Sequence, residues 1–153
     1  MPNAMGPQKM EPVVLLVDDE PAVLALCGAG LEQEGFRVLK ARTAAEALDR
    51  AKQLGRIDVL ATDVVLPEQL QMAKNHWQRP TMHGVELMRR MIVLQPGLKV
   101  VLFSGQSEEI IKTVGGIPAG TMFLRKPFSA DTLARSIRRA LSDMARIKSR
   151  ASN

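Results

Sequence analysis

Residues 14–21 read Val-Leu-Leu-Val-Asp-Asp-Glu-Pro, an apolar run that stops abruptly at three acidic residues. A short run of large aliphatic and β-branched side chains is typical of a strand that is covered on both faces. A proline directly after the acidic residues favours the first turn of a helix. This stretch therefore predicts a buried strand that leads through an acidic turn into a helix.

The same alternation continues along the chain. Four more β-rich runs follow, and helical patterns separate them. Parallel neighbouring strands need crossover helices, so five strands alternating with five helices predict an open α/β sheet with helices on both faces. The predicted strands are 13–17, 36–41, 57–62, 99–103 and 121–125, and the predicted helices are 21–34, 44–54, 84–95, 107–115 and 129–147.

Helix-end signals support several of these boundaries. Thr43 followed by Glu46 is a capping-box pattern. Gly35 and Gly55 are typical of residues that end helices, and Ser129 is typical of an N-cap.

Polar residues cluster where the predicted strands end. In open α/β folds, ligands bind beyond the carboxyl ends of the strands. We therefore expect these residues to carry the chemistry. They are Asp18, Asp19 and Glu20 after the first strand, Asp63 after the third, Ser104 and Gly105 after the fourth, and Lys126 and Pro127 after the fifth.

These residue types suit phosphoryl transfer. If strands one and three are neighbours, Asp18, Asp19 and Asp63 repel one another unless a cation lies between them. An oxygen-only ligand set suits Mg²⁺. Lys126 and the Ser104 hydroxyl supply a cation and a donor for phosphoryl oxygens, so the expected product is an aspartyl phosphate.

Four blocks of sequence resemble the receiver domains of two-component response regulators. The resemblance extends over residues 12–145 and implies a flavodoxin-like (βα)5 doubly wound parallel sheet with strand order 2-1-3-4-5. It also implies an inserted loop or short helix after the third strand, because this chain is longer there. The blocks are residues 14–21, 62–67, 103–105 and 123–128.

The resemblance assigns roles residue by residue. Asp63 is the expected phosphoacceptor, and Mg²⁺ is the expected cofactor. The implied metal ligands are Asp18, largely through water, Asp19, Asp63 and the backbone carbonyl of Val65. The implied phosphate-binding and switch residues are Ser104, Gly105, Phe123 and Lys126.

The segment after the third strand departs from the family pattern. In receivers, a glycine follows the phosphoacceptor after a short loop, whereas here Gly84 lies 21 residues beyond Asp63. We expect residues 68–80 to form an insertion that affects partner docking or access to Asp63. His76, Trp77 and Arg79 are its candidate functional residues.

Composition restricts the setting. The sequence has no apolar stretch suited to a membrane span or a signal peptide, and its one cysteine, Cys27, lies in an apolar helical pattern. A cytoplasmic location is expected. The formal charge of +5 comes from residues 135–153, where cations complement a helix C-terminus, so a nucleic-acid partner is not expected.

The expected protein is a phosphorylation-activated receiver rather than an enzyme acting on a separate substrate. It takes a phosphoryl group from a sensor histidine kinase or a histidine phosphotransfer protein and catalyses its own phosphorylation and dephosphorylation. Its signal passes through the face formed by the fourth helix, fifth strand and fifth helix, which also suits a homodimer. Residues 1–11 precede the domain as a flexible segment, and residues 146–153 follow as a basic tail.

Three alternatives remain open from the sequence. The chain is a fragment of a DNA-binding regulator or hybrid kinase, a pseudo-receiver that is not phosphorylated, or an aspartate-nucleophile phosphatase. The phosphatase class needs a second aspartate two residues after the nucleophile, where this chain has Val65.

Overall fold

The computed structural model describes residues 10–66, 84–113 and 115–151. Strands and helices alternate throughout these ranges. The strands are β1 (Val13–Val17), β2 (Arg37–Ala41), β3 (Val59–Asp63), β4 (Lys99–Ser104) and β5 (Met122–Arg125). The helices are α1 (Pro21–Gln33), α2 (Ala44–Leu54), α3 (Gly84–Leu94), α4 (Glu108–Thr113) and α5 (Ala130–Ala151).

The five strands form one parallel sheet with the order β2-β1-β3-β4-β5. This confirms the predicted fold class and strand order. The order reverses beside β1, so the loops after β1 and β3 meet at the switch point where α/β proteins bind ligands.

Apolar residues from both faces of the sheet form two cores. Val14 and Leu16 pack with α1 and α5, while Leu15 and Val17 pack on the opposite side with α2, α3 and α4. All five residues of β1 are buried, as a central parallel strand requires. The sheet is therefore a rigid support for the loops that follow its strands.

The structure moves several predicted boundaries. Phe36 does not start β2, because its N–H donates to the Leu31 carbonyl at the end of α1. Thr121 likewise belongs to a turn that closes on Pro118, so β5 starts one residue later. β3 begins at Val59 rather than at residue 57.

Two helices also end more than one residue away from their predicted ends, while α1 and α3 each end one residue earlier than predicted. α4 ends at Thr113 rather than at residue 115, since Gly115 and Gly116 both adopt positive φ. α5 continues to Ala151, through most of the predicted basic tail, because that stretch contains neither glycine nor proline.

The four residues predicted to cap or end helices take these roles in the structure. Thr43 Oγ1 accepts from the Glu46 N–H at 3.1 Å, and Ser129 Oγ accepts from the Thr132 N–H at 3.1 Å. Gly35 and Gly55 have φ values of 91° and 78°, which non-glycine residues rarely adopt. Within the described residues, no helix is long and apolar enough to cross a bilayer.

The insertion predicted at residues 68–80, including His76, Trp77 and Arg79, lies outside the described residues. The ends of its connection are described. The Gly84 N–H donates to the Val64 carbonyl at 2.9 Å, which fixes the start of α3 against the end of β3.

Candidate functional site

A cleft of about 350 Å³ opens at the carboxyl ends of β1, β3, β4 and β5. This is the expected position, because ligands in open α/β folds bind beyond the carboxyl ends of the strands. Its lining residues are Asp19, Glu20, Asp63, Val65, Gly105, Gln106 and Lys126.

Lys126 holds the centre of the site. Its Nζ lies 2.7 Å from Asp63 Oδ2, to which it donates a hydrogen bond, and 2.7 Å from Asp18 Oδ2. Glu20 Oε1 is farther away, at 3.7 Å. One ammonium group from the end of β5 thus neutralises part of the charge carried by the loops after β1 and β3.

Backbone N–H groups orient the two buried carboxylates. Asp18 Oδ1 accepts from the Glu20 N–H at 2.9 Å, and Asp63 Oδ1 accepts from the Val65 N–H at 2.9 Å. Asp18 is fully buried and Asp63 is 6% exposed. Each carboxylate therefore has one oxygen fixed by its own loop and the other directed to Lys126.

Gly84 allows α3 to begin directly against the phosphoacceptor candidate. A Cβ at this position would lie 2.0 Å from the Asp63 carbonyl oxygen. No side chain fits there. The start of α3 therefore requires a glycine, although Gly84 lies 21 residues beyond Asp63 in the sequence.

Ser104 and Phe123 lie on the same face of the sheet. Ser104 is fully buried at the end of β4, and its Oγ accepts from the Gln106 N–H at 3.0 Å. Phe123 pairs in register with Leu102, two residues before Ser104, and packs half-buried against the α2–α3–α4 side. Gly105 lies beside the Lys126 stem, where an added Cβ would make ordinary contact.

Burial and neighbouring negative charge raise the pKa of both Asp63 and Asp19. Burial raises the pKa of Asp63, against the opposing hydrogen bonds from Lys126 and the Val65 N–H. Burial also raises the pKa of Asp19, and the Asp18 charge adds to it. Although burial alone lowers the pKa of Lys126, the Asp18 and Asp63 carboxylates raise it overall. The cleft is thus built to receive additional positive charge.

The donor set fits a hard divalent cation. Carboxylate oxygens of Asp18, Asp19 and Asp63 lie within 4.8 Å of one another. Asp18 Oδ2 is buried and forms an ion pair with Lys126 Nζ at 2.7 Å, but no described residue donates a hydrogen bond to it. A buried carboxylate oxygen that is compensated by an ion pair alone, and that lies among other oxygen donors, is suited to metal coordination.

The structure adds residues that the motif analysis did not select. Gln106 lines the cleft, beside Glu20, which is among the residues expected there. Arg42, just after β2, donates from Nη2 to the Asp19 carbonyl at 3.3 Å. Its only sequence signal is position, since β2 neighbours β1 in the sheet.

Comparison with known proteins agrees with this geometry. The family described as the response regulator receiver domain matches residues 14–74. The chain contains a response regulator receiver domain. The recognition made from the four sequence blocks is thereby confirmed.

Individual relatives give the same result. The sensor kinase CckA of Brucella abortus is 33% identical over 129 residues, which cover 84% of this chain and 12% of that protein. The transcriptional regulatory protein GlrR of Escherichia coli is 31% identical over 133 residues, covering 86% of this chain and 27% of that protein. The chain therefore spans only a minor part of these relatives.

A solved receiver has the same arrangement of elements. The chemotaxis response regulator CheY4 of Vibrio cholerae superposes with a TM-score of 0.63 at 28% identity, covering 86% of this chain and 99% of that structure. This chain therefore matches nearly the whole of that receiver structure.

Proposed function

We propose that this receiver accepts a phosphoryl group on Asp63 and signals through the resulting change of conformation. The observation that carries the proposal is the position of Asp63. It is buried at the end of β3, one of its oxygens lies 2.7 Å from Lys126 Nζ, and its side chain borders a cleft with Asp19. An oriented carboxylate beside a cation is suited to nucleophilic attack on phosphorus.

The transfer needs one bond to form and one to break. An Asp63 carboxylate oxygen attacks the phosphorus of a phosphohistidine and forms an acyl phosphate. The phosphorus–nitrogen bond breaks, and the imidazole nitrogen keeps the electron pair and takes a proton. Water attack on the acyl phosphate later releases inorganic phosphate and restores the carboxylate, so the domain catalyses both its phosphorylation and its dephosphorylation.

Mg²⁺ is the proposed cofactor. Asp18, Asp19, Asp63 and the Val65 carbonyl would hold it, and it would neutralise charge on the phosphoryl oxygens. The protein residues do the remaining work. Lys126 leaves its ion pairs for a phosphoryl oxygen, and the Ser104 hydroxyl provides a further donor.

We propose that Ser104 and Phe123 carry the signal. Their shared face of the sheet supports a coupled movement, in which Ser104 turns toward the phosphoryl group and Phe123 follows. The surface formed by α4, β5 and α5 would then change. A phosphoryl group acts in this way by binding two existing states unequally.

The proposed phosphodonor is a protein, either a sensor histidine kinase or a histidine phosphotransfer protein. The surface of α1 supports this. Residues 21–30 contain no polar side chain, and Leu26 is 73% exposed on this helix, which starts directly after the acidic loop. An exposed apolar helix face beside a reactive carboxylate suits protein docking.

Leu26→Glu tests the protein donor. We expect slower transfer from a phosphohistidine protein and an unchanged rate with acetyl phosphate, which needs no docking surface. Glu32→Lys, which changes charge farther along α1, is the matched control. Equal transfer from the protein donor in the wild type and Leu26→Glu would contradict docking on this face.

Output and setting are proposed on the same basis. The α4–β5–α5 surface would contact a downstream protein or a second copy, in the cytoplasm where the kinases' phosphohistidines form. The short share of each relative that this chain covers supports a place within a longer DNA-binding regulator or hybrid kinase.

Intact mass tests the function. After exposure to acetyl phosphate or phosphoramidate with Mg²⁺, we expect a single phosphoryl adduct that EDTA prevents and Asp63→Asn abolishes. Asp49→Asn, an exposed carboxylate on α2, should keep the adduct. Failure of the wild type to form an adduct would favour a pseudo-receiver, and an adduct retained in Asp63→Asn would exclude Asp63 as the acceptor.

A further inference from the structure

The loop between β2 and α2 braces the acidic loop at two points. The Asp18 N–H donates to the Ala41 carbonyl at 3.1 Å. Next along the chain, the Arg42 guanidinium donates to the Asp19 carbonyl at 3.3 Å. The backbone that carries the two acidic side chains is therefore held from the side of β2.

Arg42 is itself fixed in the capping structure of α2. Its N–H donates to Glu46 Oε2 at 3.1 Å, and the Glu46 N–H donates to Thr43 Oγ1 at 3.1 Å. Glu46 also accepts from the Arg50 guanidinium at 2.9 Å. The α2 N-terminus thus gives Arg42 a defined backbone from which its long side chain reaches the acidic loop.

We propose that Arg42 is a positioning residue for the cation site. It acts through the Asp19 carbonyl and keeps the Asp19 side chain directed toward Asp63. The inference rests on the proposed function, because the cation site belongs to it. Residues that orient metal ligands without touching the metal affect affinity strongly in other sites.

Charge and positioning predict opposite effects at this position. A guanidinium bonded to the Asp19 carbonyl repels a cation that enters the site, so its removal by charge alone strengthens Mg²⁺ binding. Loss of the hydrogen bond to Asp19 frees the loop and weakens Mg²⁺ binding. The direction of the change in affinity therefore separates the two effects.

The experiment titrates MgCl2 into the full chain and follows the amide NMR signals of the acidic loop. We expect Arg42→Ala to weaken Mg²⁺ binding by at least about threefold. Without Mg²⁺, the Glu20 amide, which donates to Asp18 Oδ1, should exchange its hydrogen faster in Arg42→Ala. Both changes require a freed loop rather than a lost charge.

Arg50→Ala is the matched control. It removes the same charge and a contact with the same Glu46, while the Arg42 hydrogen bond to Asp19 stays in place. We expect its Mg²⁺ affinity and Glu20 exchange to equal those of the wild type. Unchanged or tighter Mg²⁺ binding in Arg42→Ala would overturn the positioning role.

The outcome also separates this inference from the proposed function. If the wild type binds no Mg²⁺, the proposed cation site is wrong, and amide exchange then decides only whether Arg42 holds the acidic loop in place. In that case, Glu20 exchange that is equal in the wild type and Arg42→Ala would overturn that role.

Discussion

Asp19 is the least buried of the three carboxylates that the fold brings together. Burial and the neighbouring Asp18 charge raise its pKa, which means that its ionised form is less favourable in the folded chain than in the unfolded chain. At neutral pH, this charge therefore lowers stability unless a cation compensates for it. Without a bound cation, the ionised Asp19 side chain therefore lowers the stability of the fold.

Asp19→Asn should consequently unfold at a higher temperature than the wild type in EDTA. Excess MgCl2 should stabilise the wild type and have a much smaller effect on Asp19→Asn, because a ligand is lost. Thermal unfolding in both buffers measures this. Lower stability of Asp19→Asn in EDTA, or equal stabilisation of both proteins by MgCl2, would contradict this account.

Gly84 is the residue whose side chain the fold excludes most clearly. An added Cβ would lie 2.0 Å from the Asp63 carbonyl oxygen, which belongs to rigid backbone. Gly84→Ala should lower the free energy of unfolding by about 2 kcal/mol or more, since β3 and α3 must separate. Urea unfolding measures the loss.

Gly97→Ala is the control for this substitution. A Cβ at Gly97 lies within 4 Å of no described atom, so the change should be neutral or slightly stabilising. Equal stability of Gly84→Ala and the wild type would show that the β3–α3 junction is not as tight as described.

At the scale of single elements, the α2 N-terminus carries a pH-dependent contribution. The Arg42 N–H hydrogen bond lowers the pKa of Glu46, and Arg50 adds to this effect. A carboxylate with a lowered pKa stabilises the fold above its unfolded pKa, and this stability is lost as the pH falls through the folded pKa.

Glu46→Gln should therefore be less stable than the wild type at pH 7, by well under about 1 kcal/mol because the side chain is partly exposed. The difference should shrink as the pH falls from the ordinary glutamate pKa of about 4.3 through the lower folded pKa, because the wild-type carboxyl becomes protonated over this range. Urea unfolding across this range is the test. A difference that is the same at pH 7 and in acid would assign the loss to packing instead.

Element boundaries show what the sequence predicts and what it leaves out. Alternating apolar runs predict the five strands, because each run must be buried on both faces. Their order in the sheet is implied by the resemblance to receiver domains and not by the apolar pattern. The apolar pattern places Phe36 at the start of β2, but in the structure its N–H donates to the Leu31 carbonyl at the end of α1. An aromatic residue is typical of strands, so at the end of a helix it resembles the start of a strand in the sequence. Only the hydrogen-bond partner of its N–H distinguishes a helix end from a strand start.

The candidate site is predictable for a different reason. Asp18 and Lys126 follow their strands directly, whereas Asp63 and Ser104 are the last residues of β3 and β4 rather than the residues after them. Parallel strands carry all such residues to one edge of the sheet. The Arg42 contact with Asp19 is not predictable in this way. It depends on how far a long side chain reaches from a neighbouring loop, and no spacing in the sequence encodes that.

For the molecule as a whole, the connection from β3 to α3 is closed at its base. The Gly84 N–H donates to the Val64 carbonyl, so the described residues on either side of 67–83 are fixed against each other. A shorter connection between the same fixed ends costs less closure entropy.

Deletion of residues 68–80 should therefore preserve the fold and raise the free energy of unfolding by about 1 kcal/mol. Urea unfolding with an unchanged m-value is the expected result. A large loss of stability would show that the deleted residues contribute packing.

The same deletion tests the predicted role of the insertion in access to Asp63 and in partner docking. An unchanged phosphorylation rate together with unchanged partner choice would contradict that role.

Locating the phosphoryl group tests the central claim most directly. The wild-type chain is phosphorylated with phosphoramidate and Mg²⁺, reduced with borohydride, digested and sequenced by mass spectrometry, since borohydride converts an aspartyl phosphate to homoserine. We predict homoserine at residue 63 and unmodified aspartates at residues 18 and 19. Homoserine at residue 18 or 19, or none at residue 63, would contradict the account.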